Sequence, residues 1–204
     1  MLATNSLTAG WYGKIPALGD FASRRISRQF IVEWDAWLQH GIAASRASLG
    51  QDWLDAYLHS PIWRFALLPG VIGPTAWAGL LMSSVDKVGR HFPLTIAVAL
   101  DEQLGATATT EAAQRWYAAL ENVALSTLNI NFSLEQLESA LTELPFPTSN
   151  VPSSDLPLTS AYGKSLWWTN TENAAFCHFS GLPPQGQFAN LLEDTMLSEA
   201  LLGQ

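Results

Sequence analysis

Several residue groups in this chain have types that can do chemistry, and their spacing decides whether they could. Gly163-Lys164-Ser165 ends like a phosphate-cradling loop. That motif needs a glycine five positions earlier, where Leu158 stands. Gly13-Lys14 continues with Ile15 rather than Ser or Thr, and no G-x-G-x-x-G run exists. His40, His59, His91 and His178 are far apart and show no metal-ligand spacing. Cys177 and His178 are neighbours in a strand-like run, so their side chains point to opposite faces and form no nucleophile–base pair. Cys177 reads as a core residue, because free cysteine is among the most buried types. Glu33 and Asp35 are two apart on a helix and do not face one another. Asp52 and Asp55 fit helix N-terminal acids. No catalytic residue, metal ligand or cofactor site follows from these patterns.

Two polar clusters set among glycines and aromatics remain. The first is Gly13-Lys14-Ile15-Pro16-Ala17-Leu18-Gly19-Asp20-Phe21 with Arg24, followed by Trp34-Asp35-Ala36-Trp37. The second runs from Ser83 and Ser84 through Asp86, Lys87, Gly89 and Arg90 to Pro93-Leu94. Glycine permits positive φ and close backbone approach. Asp20 and Arg24, like Asp86 and Arg90, are four apart and can pair locally. One reading makes these pairs braces for two tight connections. The other makes the connections a binding face at one sheet end. A further alternative has Asp20, Asp86 and Arg90 converge as a hydrolase or phosphatase-like site, since two acids and an arginine can hold a metal and a phosphate.

The elements that must position these clusters alternate between types. A strand is expected over Trp11–Pro16, and Asp20 is expected to cap a short helix through Arg24 or Arg25. Ser27 caps a longer helix to Leu49, with Phe30, Trp34, Trp37, Leu38 and Ile42 on one face and Gly50 as its stop. Residues 52–59 read as a short helix. Ile62–Leu68, Ala76–Ser83 and Leu94–Leu100 read as strands. Helices are expected over Thr109–Leu128 and Ser133–Leu144, the second opened by a Ser133/Gln136 capping box. Pro145–Gly163, with four prolines and one charge, reads as a long loop. A hairpin is expected around Asn170–Asn173, then a final helix over Phe188–Leu202. Near-continuous apolar strands are covered on both faces. The expected fold is therefore α/β, a three-layer α/β/α sandwich on a mixed, largely antiparallel sheet, in one domain spanning residues 1–204.

Composition excludes whole classes. Of 204 residues, 48% are hydrophobic and 14% charged, which rules out disorder for most of the chain. One cysteine rules out a disulfide scaffold. Residues 1–100 carry eight basic and six acidic side chains, whereas residues 101–204 carry two and twelve, so the net −8 sits almost wholly in the second half. A nucleic-acid footprint would show as a basic excess. Residues 65–85 are free of charge and long enough to span a bilayer, but Pro69, Gly70, Gly73 and Pro74 read as a turn between strands. No leader is visible at the N-terminus. The expectation is a cytoplasmic protein with no membrane insertion.

Taken in order, Trp11-Tyr12-Gly13-Lys14-Ile15-Pro16, Gly19-Asp20-Phe21, Arg24, Trp34-Asp35-x-Trp37-Leu38, Ser60-Pro61-x-Trp63-Arg64-Phe65 and Ser84-Val85-Asp86-Lys87-Val88-Gly89-Arg90-x-Phe92-Pro93-Leu94 resemble the TagF family of type VI secretion-associated proteins. The matches span about residues 10–100. Ser83 stands where the family has a proline, and Lys87 where arginine is usual. The resemblance implies an α/β/α sandwich and a non-enzymatic cytoplasmic accessory factor of the bacterial type VI secretion system. It implies a post-translational repressor of secretion that contacts a forkhead-associated-domain scaffold protein. It transfers no catalytic residue, metal or cofactor. The candidate partner-binding residues are Lys14, Asp20, Phe21, Arg24, Trp34, Asp35, Trp37, Arg64, Ser84, Asp86, Lys87 and Arg90.

Overall fold

Alternation of apolar residues on paired strands produces two cores here rather than one. In the computed structural model, which describes residues 7–100, 106–147, 162–170 and 176–196, the strands are β1 (Gly10–Gly13), β2 (Ala22–Arg24), β3 (Trp63–Leu67), β4 (Ala76–Met82), β5 (Leu94–Leu100), β6 (Lys164–Trp168) and β7 (Cys177–Ser180). They form one sheet in the order β2-β1-β5-β4-β3-β6-β7, and every pairing is antiparallel. The helices are α1 (Arg28–Leu49), α2 (Trp53–His59), α3 (Glu111–Ser126), α4 (Leu134–Glu143) and α5 (Phe188–Leu192).

On one face, Tyr12, Trp63, Phe65, Leu67, Trp77, Leu81 and Trp167 pack with α1, α2 and α5. On the other, Trp11, Ala78, Leu80, Ile96, Val98 and Trp168 pack under α3 and α4. Every residue of β4 is buried, as two covered faces require. The charge-free run is thus the β3–β4 hairpin, whose turn is closed by Gly70 N–H donating to the Gly73 carbonyl (2.7 Å). The α/β/α sandwich expected from the sequence is present.

Local signals set the helix boundaries. The Ser27 hydroxyl accepts from Phe30 N–H, and Gly50, at φ 55°, closes α1. Thr110 caps α3, and the Ser133/Gln136 capping box opens α4. Among the described residues, eight of the nine tryptophans, all but Trp77, find partners for their indole N–H groups, as buried indoles usually do. Trp34 donates to Thr95 Oγ1 (2.8 Å), Trp37 to the Pro183 carbonyl (2.9 Å) and Trp63 to the Leu191 carbonyl (2.8 Å).

Two expectations are corrected. Residues 22–24 form edge strand β2 on β1 rather than a helix capped by Asp20; pairing with a ready strand outweighs a single local cap. The last helix ends at Leu192, because Asp194 takes a left-handed φ of 55° and Thr195 N–H reaches back to the Asn190 carbonyl (2.8 Å), a closure that ends helices. Residues 197–202 of that expected helix, and most of the Pro145–Gly163 loop, lie outside the described residues, as do residues 171–173 of the expected hairpin turn.

Candidate partner-binding site

The sheet register brings the two polar clusters together. β1 pairs Gly13 with Leu94, and β4 pairs Met82 with Leu94. The end of β1, the end of β4 and the start of β5 therefore lie at one sheet end, and the connections 14–21 and 83–93 meet there. Gly13 is obligatory at this junction. Its φ is 131°, and a Cβ would lie 2.1 Å from the Pro93 carbonyl oxygen.

Asp86 organises the contact. Its side chain is buried, and Oδ2 accepts from Lys14 Nζ (3.0 Å) and Arg90 Nε (2.6 Å). Oδ1 accepts from Val88 N–H (3.0 Å) and Arg90 N–H (2.9 Å). Burial alone opposes charge on Asp86. The bonds from Arg90 N–H, Lys14, the Arg90 guanidinium and Val88 N–H outweigh it and hold the carboxyl well below the usual carboxylate range. The second connection is clipped to the first by Lys87 N–H donating to the Leu18 carbonyl (2.8 Å) and Arg90 Nη2 donating to the Gly19 carbonyl (2.6 Å). Arg90 also lies 3.8 Å from Asp20. Asp20 therefore faces Arg90 across the two connections; the local pair expected with Arg24 is replaced, and Arg24 Nη1 donates to the Ser23 carbonyl.

Apolar contacts complete the junction. Phe21 lies edge-on to Phe92 at 4.7 Å and beneath Lys14 Nζ at 4.8 Å. Tyr12 donates to Asp35, which also accepts from Gln39. Burial and the bond to Asp35 push the Tyr12 phenol pKa up.

The twelve sequence candidates divide by position. Asp20, Phe21, Lys87 and Arg90 are exposed at the sheet end, Arg24 is exposed at the far end of β2 opposite Trp11, and Asp35 is half-buried. Lys14, Ser84 and Asp86 are buried within the junction. The Ser84 carbonyl accepts from Tyr57 O–H. Trp34 and Trp37 are core residues under α1. Arg64 lies on the opposite sheet face beneath α3, where its Nε donates to Glu121 (2.7 Å) and its Nη1 to Gln114 (3.1 Å). These three are buried and act as internal supports. Val88, 69% exposed at the tip of the second connection, is a surface residue the sequence reading did not single out. Its signal was an apolar residue between Lys87 and Gly89 in a turn.

One end of the three-layer sandwich thus presents Phe21 and Val88 among Lys87, Arg90 and Asp20, around a buried Asp86 carboxylate whose two oxygens are both engaged. The chain matches the TagF N-terminal domain, type VI secretion system-associated, over residues 10–144, and belongs to that family. The match extends past the motif-bearing region through α4. Among solved structures the chain is similar to the crystal structure of PA0076 from Pseudomonas aeruginosa PAO1, with 36% sequence identity, coverage of 91% of this chain and 94% of that one, and a TM-score of 0.79. No match was found among curated proteins. Among the described residues, no helix is long and apolar enough to cross a membrane. Family membership makes the chain a type VI secretion-associated accessory protein.

Proposed function

We propose that this chain, as one TagF-like domain, is a non-enzymatic cytoplasmic repressor that acts post-translationally on type VI secretion by binding a forkhead-associated-domain scaffold protein. The observation that carries this reading is the committed state of Asp86. Both of its oxygens are spent on Lys14, Arg90 and two backbone N–H groups, so it braces a rigid face instead of offering a ligand or base. The same geometry counts against the hydrolase or phosphatase-like alternative, whose Asp20 side chain is exposed at the surface while Asp86 is turned inward. What the braced connections present outward is Asp20, Phe21, Val88, Lys87 and Arg90.

The test is capture of the forkhead-associated-domain protein of the same secretion system by the immobilised chain. Capture is expected, with charge reversal at Arg24 and Arg28 weakening it and reducing its salt dependence. Failure of the wild-type chain to capture that protein would refute the reading. Unaltered capture of the reversed variant at low salt would remove the electrostatic part alone.

A further inference from the structure

Beside the braced connections lies a groove of about 520 Å³ between α1 and the second connection, lined by Gln39, Ile42, Ala43, Arg46, His91 and Phe92. Its volume falls within the range of sites that hold small ligands or side chains, roughly 300–1,000 Å³. The floor is apolar and built. Ile42 and Phe92 belong to the core under α1, and Ala43 opens the groove because it projects only a methyl. The rim carries a guanidinium, Arg46, with the Gln39 amide and the His91 imidazole. Arg46 sits 4.1 Å over the Trp53 ring, which holds its guanidinium in place, and it makes no ion pair among the described residues. His91 is fixed edge-on against Trp53 and Tyr57, with ring centroids 6.1 and 5.5 Å away. Among the described residues, no carboxylate lines the groove. The nearby acid on α1, Asp35, is engaged by Tyr12 and Gln39.

We infer that this groove is a docking slot for an acidic, apolar segment of a partner protein, an apolar side chain seated over Ile42, Ala43 and Phe92 and a carboxylate paired with Arg46 and approached by His91. Charge complementarity selects this occupant. The rim offers the Arg46 cation and donors from Gln39 and His91, and the adjoining connections expose Lys87 beside Arg90, which faces the exposed Asp20. Phe92 joins the two surfaces, since it packs against Phe21 on one side and floors the groove on the other. The inference deepens the proposed partner-binding role by naming the chemistry of what binds.

The test uses a fluorescent hexapeptide of alternating Glu and Leu and its Lys-for-Glu counterpart, titrated with the full chain and followed by anisotropy. Arg46→Glu removes the fixed cation, and Ala43→Trp fills the floor. Ala43 and Arg46 are both exposed, and circular dichroism establishes that each variant is folded. The Glu peptide is expected to bind and the Lys peptide not to. Each variant is expected to raise Kd by about tenfold or more, the scale of losing a hydrogen bond to a charged group. Equal binding of the two peptides, or variants within about twofold of wild type, would overturn the inference. Capture of the forkhead-associated-domain protein is scored separately on the same proteins. Its loss in the wild type strikes the proposed function and leaves the peptide result standing.

Discussion

Removing the Arg64 side chain tests whether a motif residue supports the fold or meets a partner. Arg64 and Glu121 have side chains 5% and 11% exposed and meet at 2.7 Å. The Arg64 guanidinium also contacts Gln114 and lies 5.9 Å from the Tyr117 ring centroid. Arg64→Ala leaves the Glu121 carboxylate buried without its cation, a change that costs about 3–5 kcal/mol. For a domain of this length, each kcal/mol shifts Tm by roughly 2–4 °C, so a fall of about 6–20 °C is expected. Urea denaturation followed by tryptophan fluorescence measures the loss, and thermal scans confirm it. The double variant Arg64→Met with Glu121→Leu replaces the pair with apolar groups of similar volume. It is expected to recover most of the loss, because the desolvation cost of both charges disappears. The cycle of single and double variants isolates the coupling. A loss below about 1 kcal/mol for Arg64→Ala, well short of the cost of an orphaned buried charge, would refute this reasoning. So would a folded variant of unchanged stability that no longer captures the partner.

Asp86 has a depressed folded-state pKa, so its contribution to stability is present above the unfolded carboxyl value of about 3.9 and is lost as pH falls below it. Asp86→Asn should lower stability at neutral pH and flatten the acid limb of a stability–pH profile; an unchanged limb would contradict the bracing role. Burial raises the pKa of Tyr57 and Tyr117, and burial with the Asp35 contact raises that of Tyr12. Their stabilisation is therefore present below the unfolded phenol value of about 10 and lost as pH rises above it, and Tyr117→Phe should reduce the slope of the alkaline limb. Gly79→Ala should abolish the native circular dichroism spectrum or the soluble yield, since its Cβ would lie 2.3 Å from the Ile96 carbonyl oxygen. Phe21→Ala with Val88→Glu should cost about 1 kcal/mol of stability, from the lost Phe21–Phe92 contact, while weakening partner capture by about tenfold or more.

What was legible in the sequence follows from how far its signals reach. The ends of α1 and α4 are set by Ser27, Gly50, Ser133 and Gln136 acting within a few residues, and strand β5 matches its apolar run from Leu94 to Leu100. The local Asp86–Arg90 pair was also readable, whereas the meeting of the two connections was open, since it rests on the pairing of β1 with β5. Edge strand β2 was not, since residues 22–24 become a strand only by pairing with β1. The end of α5 was hidden because a non-glycine residue, Asp194, adopts the left-handed turn. Arg64, Trp34 and Trp37 illustrate the limit of motifs. Their partners are Glu121, Thr95 and Pro183, between 57 and 146 residues away. Nothing local distinguishes such internal supports from residues that meet a partner.

Effector release by a clean deletion of the gene in its native host, against wild type and a strain complemented with the intact chain, tests the repressor role most directly. The account expects effector in the medium to rise in the deletion, return to the wild-type level on complementation, and stay raised when the complementing chain carries Phe21→Ala with Val88→Glu. Unchanged release in the deletion would contradict it.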